Sequence, residues 1–197
     1  APWQEVQLLD GLADRVLDGS ISEIGVSNIG PKRLAWMQQR LAERGVPLRS
    51  VQVQYSLLSP GDAKVDALRQ LCRERGIEVL AYSPLAFGVL TLPPDGERRP
   101  RTVLQRQLLA RLQPASRSLR AVMAVIAGQR SVSMAQVALN WCRAQGTTPI
   151  PGLRTPEQAR DVAGALQWSL TSAELDQLSM ARQQCTVRTP SNPFQSA

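Results

Sequence analysis

Ile24-Gly25-Val26-Ser27-Asn28, Val51-Gln52-Val53-Gln54-Tyr55-Ser56 and Val79-Leu80-Ala81-Tyr82-Ser83-Pro84-Leu85 are three stretches of one kind. In each, an apolar strand runs into Ser, Asn, Gln or Tyr, and a helical pattern follows. A fourth, Thr148-Pro149-Ile150-Pro151-Gly152-Leu153-Arg154-Thr155, stands at the same point of the next unit. Polar groups gathered at the C-terminal ends of successive strands are how a barrel of alternating strands and helices builds a ligand site. The four stretches predict an α/β chain of βα units, of the TIM-barrel (βα)8 type.

The surrounding sequence fills in the units. Residues 3–18 place Val6, Leu9, Leu12, Ala13 and Val16 at helical spacing, and Gly19 suits the C′ position. Ile21–Val26 reads as a buried strand. Pro31 suits a first helical position, where its missing N–H is not needed; Leu34, Met37 and Leu41 then form a stripe that Gly45 ends. Ser50–Tyr55 alternates, with its Val residues expected under helices and its Gln residues inward. A helix over 62–75 (Val65, Leu68, Leu71, Cys72) stops at Gly76, and Ile77–Ala81 is the third strand.

A long insertion runs from Phe87 to Pro114, with Pro93-Pro94 and the cluster Glu97-Arg98-Arg99-Pro100-Arg101. Insertions after a barrel strand belong mostly to the active-site face. Two helices follow, over 116–128 and 133–145, the second opened by the capping-box pattern Ser133-Met134-Ala135-Gln136. Thr147–Ile150 is the fourth strand. Thr155 and Pro156 open another helix, and Thr171-Ser172-Ala173-Glu174 caps the last, to about Arg182. Four units are half of a closed barrel, which needs ~250 residues. The half barrel leaves strand edges at Ile21–Val26 and Thr147–Ile150, and open edges invite self-association.

Composition bounds the function. The 197 residues are 43% apolar and 20% charged, as in a globular chain with one core. No run reaches the roughly 20 apolar residues of a membrane span, and the N-terminus lacks the basic and apolar parts of a signal peptide. It also lacks a starting Met, which fits a processed product or a fragment. A cytoplasmic location and no membrane partner are expected. Cys72, Cys142 and Cys185 are widely spaced with no C-x-x-C pair, so reduced thiols and no metal site are expected. Net charge is +7, and Lys32 and Lys64 are the only lysines among 23 cationic residues. The arginines are scattered over helix faces, and the cluster at 97–101 has no aromatic residue for base stacking. This favours a solvated surface with some attraction for anions, including phosphorylated ligands, and no nucleic-acid partner.

The chemistry-bearing positions sit at the strand ends. Pro151-Gly152-Leu153-Arg154-Thr155-Pro156 joins a glycine, a cation and a helix start, which suits phosphate; an ordinary strand-to-helix turn with a surface Arg fits as well. Tyr82 suits stacking on a flat heterocycle, or a core position with a bonded hydroxyl. Ser27 and Asn28 suit an amide ligand, or helix capping ahead of Pro31. With no histidine and no lysine near Tyr55 or Tyr82 in sequence, there is no complete catalytic set.

Together these residues resemble the C-terminal half of the aldo/keto reductases. Gly25-Val26-Ser27-Asn28, Gln52-Val53-Gln54-Tyr55-Ser56-Leu57-Leu58, Ala81-Tyr82-Ser83-Pro84-Leu85, Ala138-Leu139-Asn140-Trp141 and Ile150-Pro151-Gly152 stand at family spacing over about residues 4–182. Gly45-Val46-Pro47-Leu48 and the tail's Asn192-Pro193-Phe194-Gln195 look most like the pyridoxal reductase branch of chloroplasts and cyanobacteria. The resemblance implies that residues 1–183 are the second half of an NADPH/NADP+-binding barrel, with 184–197 a tail, and that the substrate is a small-molecule aldehyde or ketone such as pyridoxal. It implies that Ser27, Asn28 and Gln52 hold the nicotinamide carboxamide and that Tyr82 stacks on the ring. It places Ser83, Leu85 and Gly88 along the pyrophosphate. Gly152, Leu153 and Arg154 fall at the 2′-phosphate, and Gln158 and Asp161 near the adenosine. Val162 stands where the family often has Asn for the adenine. The family's catalytic Asp, Tyr, Lys and His lie on the first four strands, which this chain does not contain. An inactive half with a cofactor cradle is therefore expected; the alternative is a non-catalytic nucleotide-binding or regulatory half barrel that dimerises.

Overall fold

The computed structural model describes residues 2–61, 63–100 and 102–190. Asp62, Arg101 and the tail motif at 192–195 lie outside the described residues. The elements run α1 (Pro2–Leu17), β1 (Ile24–Ser27), α2 (Pro31–Ala42), β2 (Leu48–Gln54), α3 (Ala63–Arg75), β3 (Glu78–Tyr82), a 3₁₀ segment (Ala86–Thr91), α4 (Val103–Ala115), α5 (Arg117–Arg130), α6 (Met134–Ala144), β4 (Thr148–Ile150), α7 (Pro156–Ala163), a second 3₁₀ turn (Gly164–Gln167) and α8 (Ser172–Gln184). The strands are hydrogen-bonded in the order β1-β2-β3-β4. Each connection carries at least one helix, as parallel neighbours require. The described residues divide into two compact units, one within 2–53 and 61–80 and the other within 54–60 and 81–190.

In the first unit β1 pairs parallel with β2, Val26 beside Val51 and Ser27 beside Gln52. The expected stripe is real: Leu34, Met37 and Leu41 are buried on α2, as are Val51, Val53, Leu68 and Cys72, while Gln52 and Gln54 are half-buried. Ion pairs join α1 to α2 and to the turn after it, with Arg40 of α2 to Asp10 at 2.8 Å and Arg44 of the turn to Asp14 at 2.5 Å. The first strand begins at Ile24 and not at Ile21. The Ile21 N–H donates to the Arg15 carbonyl at 3.0 Å and so closes the end of α1. Local capping has taken the residues that hydrophobicity assigns to the strand.

The second unit is built on α5, α6 and α8. Leu119, Met123 and Ile126 of α5 are fully buried, with Val137 and Cys142 of α6 and Leu178 of α8. Tyr55 stacks on Trp141 with centroids 5.4 Å apart, and the Arg182 guanidinium lies 5.7 Å from the Trp141 ring. Arg182 also donates to the Leu57 and Ser59 carbonyls at 3.2 and 3.0 Å, which ties the 55–59 turn to α8. The insertion after β3 is not a structureless loop. Thr102 caps α4 by accepting the Gln105 N–H, and Pro114 sits within its last turn.

The capping signals divide. Thr171 and Glu174 form a complete capping box. Ser133 accepts the Gln136 N–H at 3.2 Å, but the Gln136 side chain does not return to close the box. It donates to Asp161 Oδ1 at 2.9 Å and accepts from Trp168 Nε1 at 3.0 Å. Tertiary partners have drawn it away from the cap.

Candidate functional site

The second unit contains a cavity of about 610 Å³, within the size range of small-molecule sites. Eight of the sequence-predicted residues line it: Ser83, Leu85, Gly88, Gly152, Leu153, Arg154, Gln158 and Asp161. The β3 exit forms one wall. After Tyr82 the backbone enters the left-handed region at Ser83 (φ 53°), Ala86 (φ 47°), Phe87 (φ 59°) and Gly88 (φ 83°). Three non-glycine residues in that region within five positions mark a tightly wound, strained turn. The φ of Gly88 disfavours a side chain, and the Arg98 guanidinium tip occupies the place a Cβ would take there.

Arg98 is thereby placed against the backbone of the β3 exit, on the cavity wall. Among the described residues neither Arg98 nor Arg154 has a hydrogen-bond or ion-pair partner for its guanidinium, so the cavity presents two unpaired cations. Its one carboxylate, Asp161, is steered by Gln136 at Oδ1.

The opposite wall is the start of α7. Thr155 accepts the Gln158 N–H at 3.3 Å, and Gln158 Oε1 accepts the Arg154 N–H at 2.9 Å. These backbone donors are thus already satisfied inside the turn. The grip on an anion falls to the Arg154 side chain more than to the helix start. Val162, half-buried on α7, also lines the cavity.

Ser27, Asn28 and Gln52 form a separate group in the first unit. The Asn28 N–H donates to the Gln52 carbonyl at 2.9 Å, Ser27 Oγ donates to the same carbonyl at 3.3 Å, and Asn28 Nδ2 donates to Ser27 Oγ at 3.0 Å. Asn28 adopts φ 57°, which Asn tolerates better than most residues. Neither residue caps α2. Its N-cap is Gly30, with no side-chain hydrogen bond. Tyr82 ends β3, half-buried, its carbonyl accepting the Tyr55 N–H at 3.2 Å. It does not line the cavity.

Sequence reasoning missed Arg98, Phe87, Thr91, Gln105 and Ser133, all of which line the cavity. The arginine cluster was visible as charge, but nothing local ties it to Gly88. No histidine, lysine, cysteine or tyrosine lines the cavity, so it suits anion binding better than proton transfer. Among the described residues no group of three or more His, Cys, Asp or Glu is placed to hold a metal.

Successive βα units on a four-stranded sheet, with a cavity at the strand ends, are the architecture of a partial α/β barrel. Residues 3–182 match the aldo/keto reductase family, and the chain belongs to it. Over its whole length it is 41% identical to pyridoxal reductase, chloroplastic, of Arabidopsis thaliana, of which it covers 53%. It is 33% identical to an uncharacterized oxidoreductase of Mycobacterium bovis, matching 88% of this chain and 53% of that one. A thermostable aldo-keto reductase solved with the inhibitor epalrestat has the same fold at 22% identity, with a TM-score of 0.66 over 89% of this chain and 54% of that one. The chain thus spans about half the length of the curated relatives it matches.

Proposed function

We propose that this chain is the cofactor-holding half of an NADP(H)-dependent aldo/keto reductase that reduces an aldehyde or ketone to an alcohol. Pyridoxal is the first substrate to test, because the chain is 41% identical to a pyridoxal reductase. The observation that carries the reading is the cavity in which Gly88, Arg98 and Arg154 meet. Gly88 leaves room for the Arg98 guanidinium against its backbone, and the two guanidinia match phosphate charge. Arg154 takes the 2′-phosphate, Ser83, Leu85 and Gly88 follow the pyrophosphate, and Gln158 and Asp161 Oδ2 face the adenosine. Gly152 and Leu153 shape the wall beside Arg154. Tyr82 offers its ring to the nicotinamide, and Ser27, Asn28 and Gln52 offer hydrogen bonds to the carboxamide.

When bound, NADPH supplies a hydride. No histidine, lysine, cysteine or tyrosine lines the cavity, so the proton that completes the alcohol is expected from a donor outside it. Titration with NADPH and NADH tests the reading. The wild-type chain is expected to prefer NADPH, and Arg154→Gln to narrow that preference about tenfold, the worth of one charged hydrogen bond. Equal affinity for the two cofactors in wild type would overturn the 2′-phosphate assignment.

A second reading, a dimerising half barrel, draws on an apolar groove of about 670 Å³ along β4, lined by Ile150, Leu153, Val162 and Leu166. Ile150 is 37% and Leu166 67% exposed. A defined dimer in sedimentation that binds NADPH without turnover supports this reading, and a monomer removes it.

A further inference from the structure

The insertion after β3 encloses a second cavity, of about 460 Å³, also within the size range of small-molecule sites. Arg106, Leu109, Ala110 and Gln113 line it at the spacing of one face of α4. The loop over 94–100 and Arg117 and Arg120 of α5 complete the lining. Of the residues assigned to the cofactor only Arg98 borders this cavity, and its guanidinium tip lies against Gly88.

Arg120 carries the argument. It is 2% exposed, one of the largest fully buried side chains of the chain. Nη1 donates to the Pro93 and Gly96 (3.1 Å) carbonyls and Nη2 to the Gln113 carbonyl (2.8 Å). Its Nε–H has no partner. The carboxylate of the same loop, Asp95, forms its ion pair with Arg117 instead. Burial accordingly pushes the Arg120 pKa below the ordinary arginine value, with Asp95 opposing the shift. A buried cation met only by neutral carbonyls is costly, and an anion beside it offsets that cost. A second cation of the lining, Arg106, is exposed and has no side-chain partner among the described residues. Glu97, the other carboxylate of the lining, is exposed. The two carboxylates disfavour a dianion such as a phosphate ester and leave a monoanion as the better match. Leu109, Ala110, Pro100 and Pro114 supply apolar surface.

We propose that this cavity is a second binding site, for a small organic carboxylate. The carboxylate meets the Arg106 guanidinium and supplies the counter-charge that Arg120 lacks, and the apolar body of the ligand lies against Leu109, Ala110 and Pro100. The site stands apart from the cofactor reading, because it uses another cavity and other cations.

The test is calorimetric titration of the full chain with sodium benzoate and with benzamide, its uncharged counterpart, with and without NADPH. Wild type, Arg99→Gln, Arg106→Gln and Arg120→Met are compared, and the thermal midpoint of each is recorded. Benzoate is expected to bind at about millimolar concentration, and benzamide at least about tenfold more weakly. Arg106→Gln removes an exposed, partner-free side chain, so it should weaken benzoate about tenfold at an unchanged midpoint. Arg99 is exposed close by and lines neither cavity, so Arg99→Gln should leave benzoate binding as it is. Arg120→Met should lose the rise in midpoint that benzoate gives wild type; where that variant does not fold, Arg106→Gln decides. Benzoate and benzamide bound equally, benzoate bound equally by wild type and Arg106→Gln, or no benzoate bound by the folded wild type overturns the proposal. Benzoate displaced by NADPH lies in the strand-end cavity and overturns it too. NADPH bound without benzoate leaves the proposed function standing alone, and Arg106-dependent benzoate binding without NADPH binding leaves the second site standing alone.

Discussion

Glu174 is held from two sides. Arg130 donates to both its carboxylate oxygens, at 2.6 and 2.8 Å, and the Thr171 N–H donates at 2.7 Å. These bonds, Arg130 first, hold its pKa at about 2, against an ordinary 4.5. A carboxyl whose pKa is lower folded than unfolded adds stability that is complete above the unfolded value and lost as pH falls toward the folded one. Acid unfolding should therefore show a loss between about pH 4.5 and 2. The loss should be smaller in Glu174→Gln, which is expected to cost about 1–2 kcal/mol at neutral pH; thermal melts across that range measure it. Cys72 shows the opposite effect of burial. Its thiol is fully enclosed and pushed up to about 11, and Cys142 and Cys185 are buried too. A thiol reagent at pH 8 should find no fast-reacting cysteine in the folded chain and three in denaturant. Rapid labelling of the folded protein would contradict the core described above.

At the scale of elements, the caps are the most quantitative features. Thr171 accepts the Glu174 N–H and closes a box with its side chain. Thr171→Ala should cost about 1 kcal/mol, read as a lowered denaturation midpoint at unchanged slope. This cap was legible in the sequence because both its partners lie within four residues, and the same holds for Thr155 at α7. The helical stripe Leu34, Met37, Leu41 was legible because a helix presents that spacing to one face. The parts that were not legible depend on distant partners. Gln136 looked like a capping residue and serves Asp161 and Trp168, 25 and 32 residues away. The helix α4 was hidden by the prolines and charges around it. Arg98 was visible only as one cation of a cluster, because the side chain that holds its backbone, Gln113, is 15 residues distant in sequence.

At the scale of the molecule, the chain holds the strand ends of four βα units, and within its second unit a cavity whose cations suit phosphate. It has no histidine, and both its lysines lie on helices, Lys32 on α2 and Lys64 on α3. An assay of the purified chain with NADPH and pyridoxal should therefore show turnover well below ~1 per second, the low end of ordinary enzymes. Turnover at or above that rate would mean that the proton donor lies within these residues.

If these residues bind NADP(H) by themselves, the binding is visible in the cofactor's own fluorescence. Fluorescence titration of the chain with NADPH, beside a Tyr82→Ala variant of equal thermal midpoint, should give micromolar binding in the first. The variant should bind at least about tenfold more weakly, since loss of a stacked aromatic face costs about 1–3 kcal/mol. A folded wild-type chain that leaves NADPH fluorescence unchanged, or a variant that binds as tightly as wild type, would contradict the account.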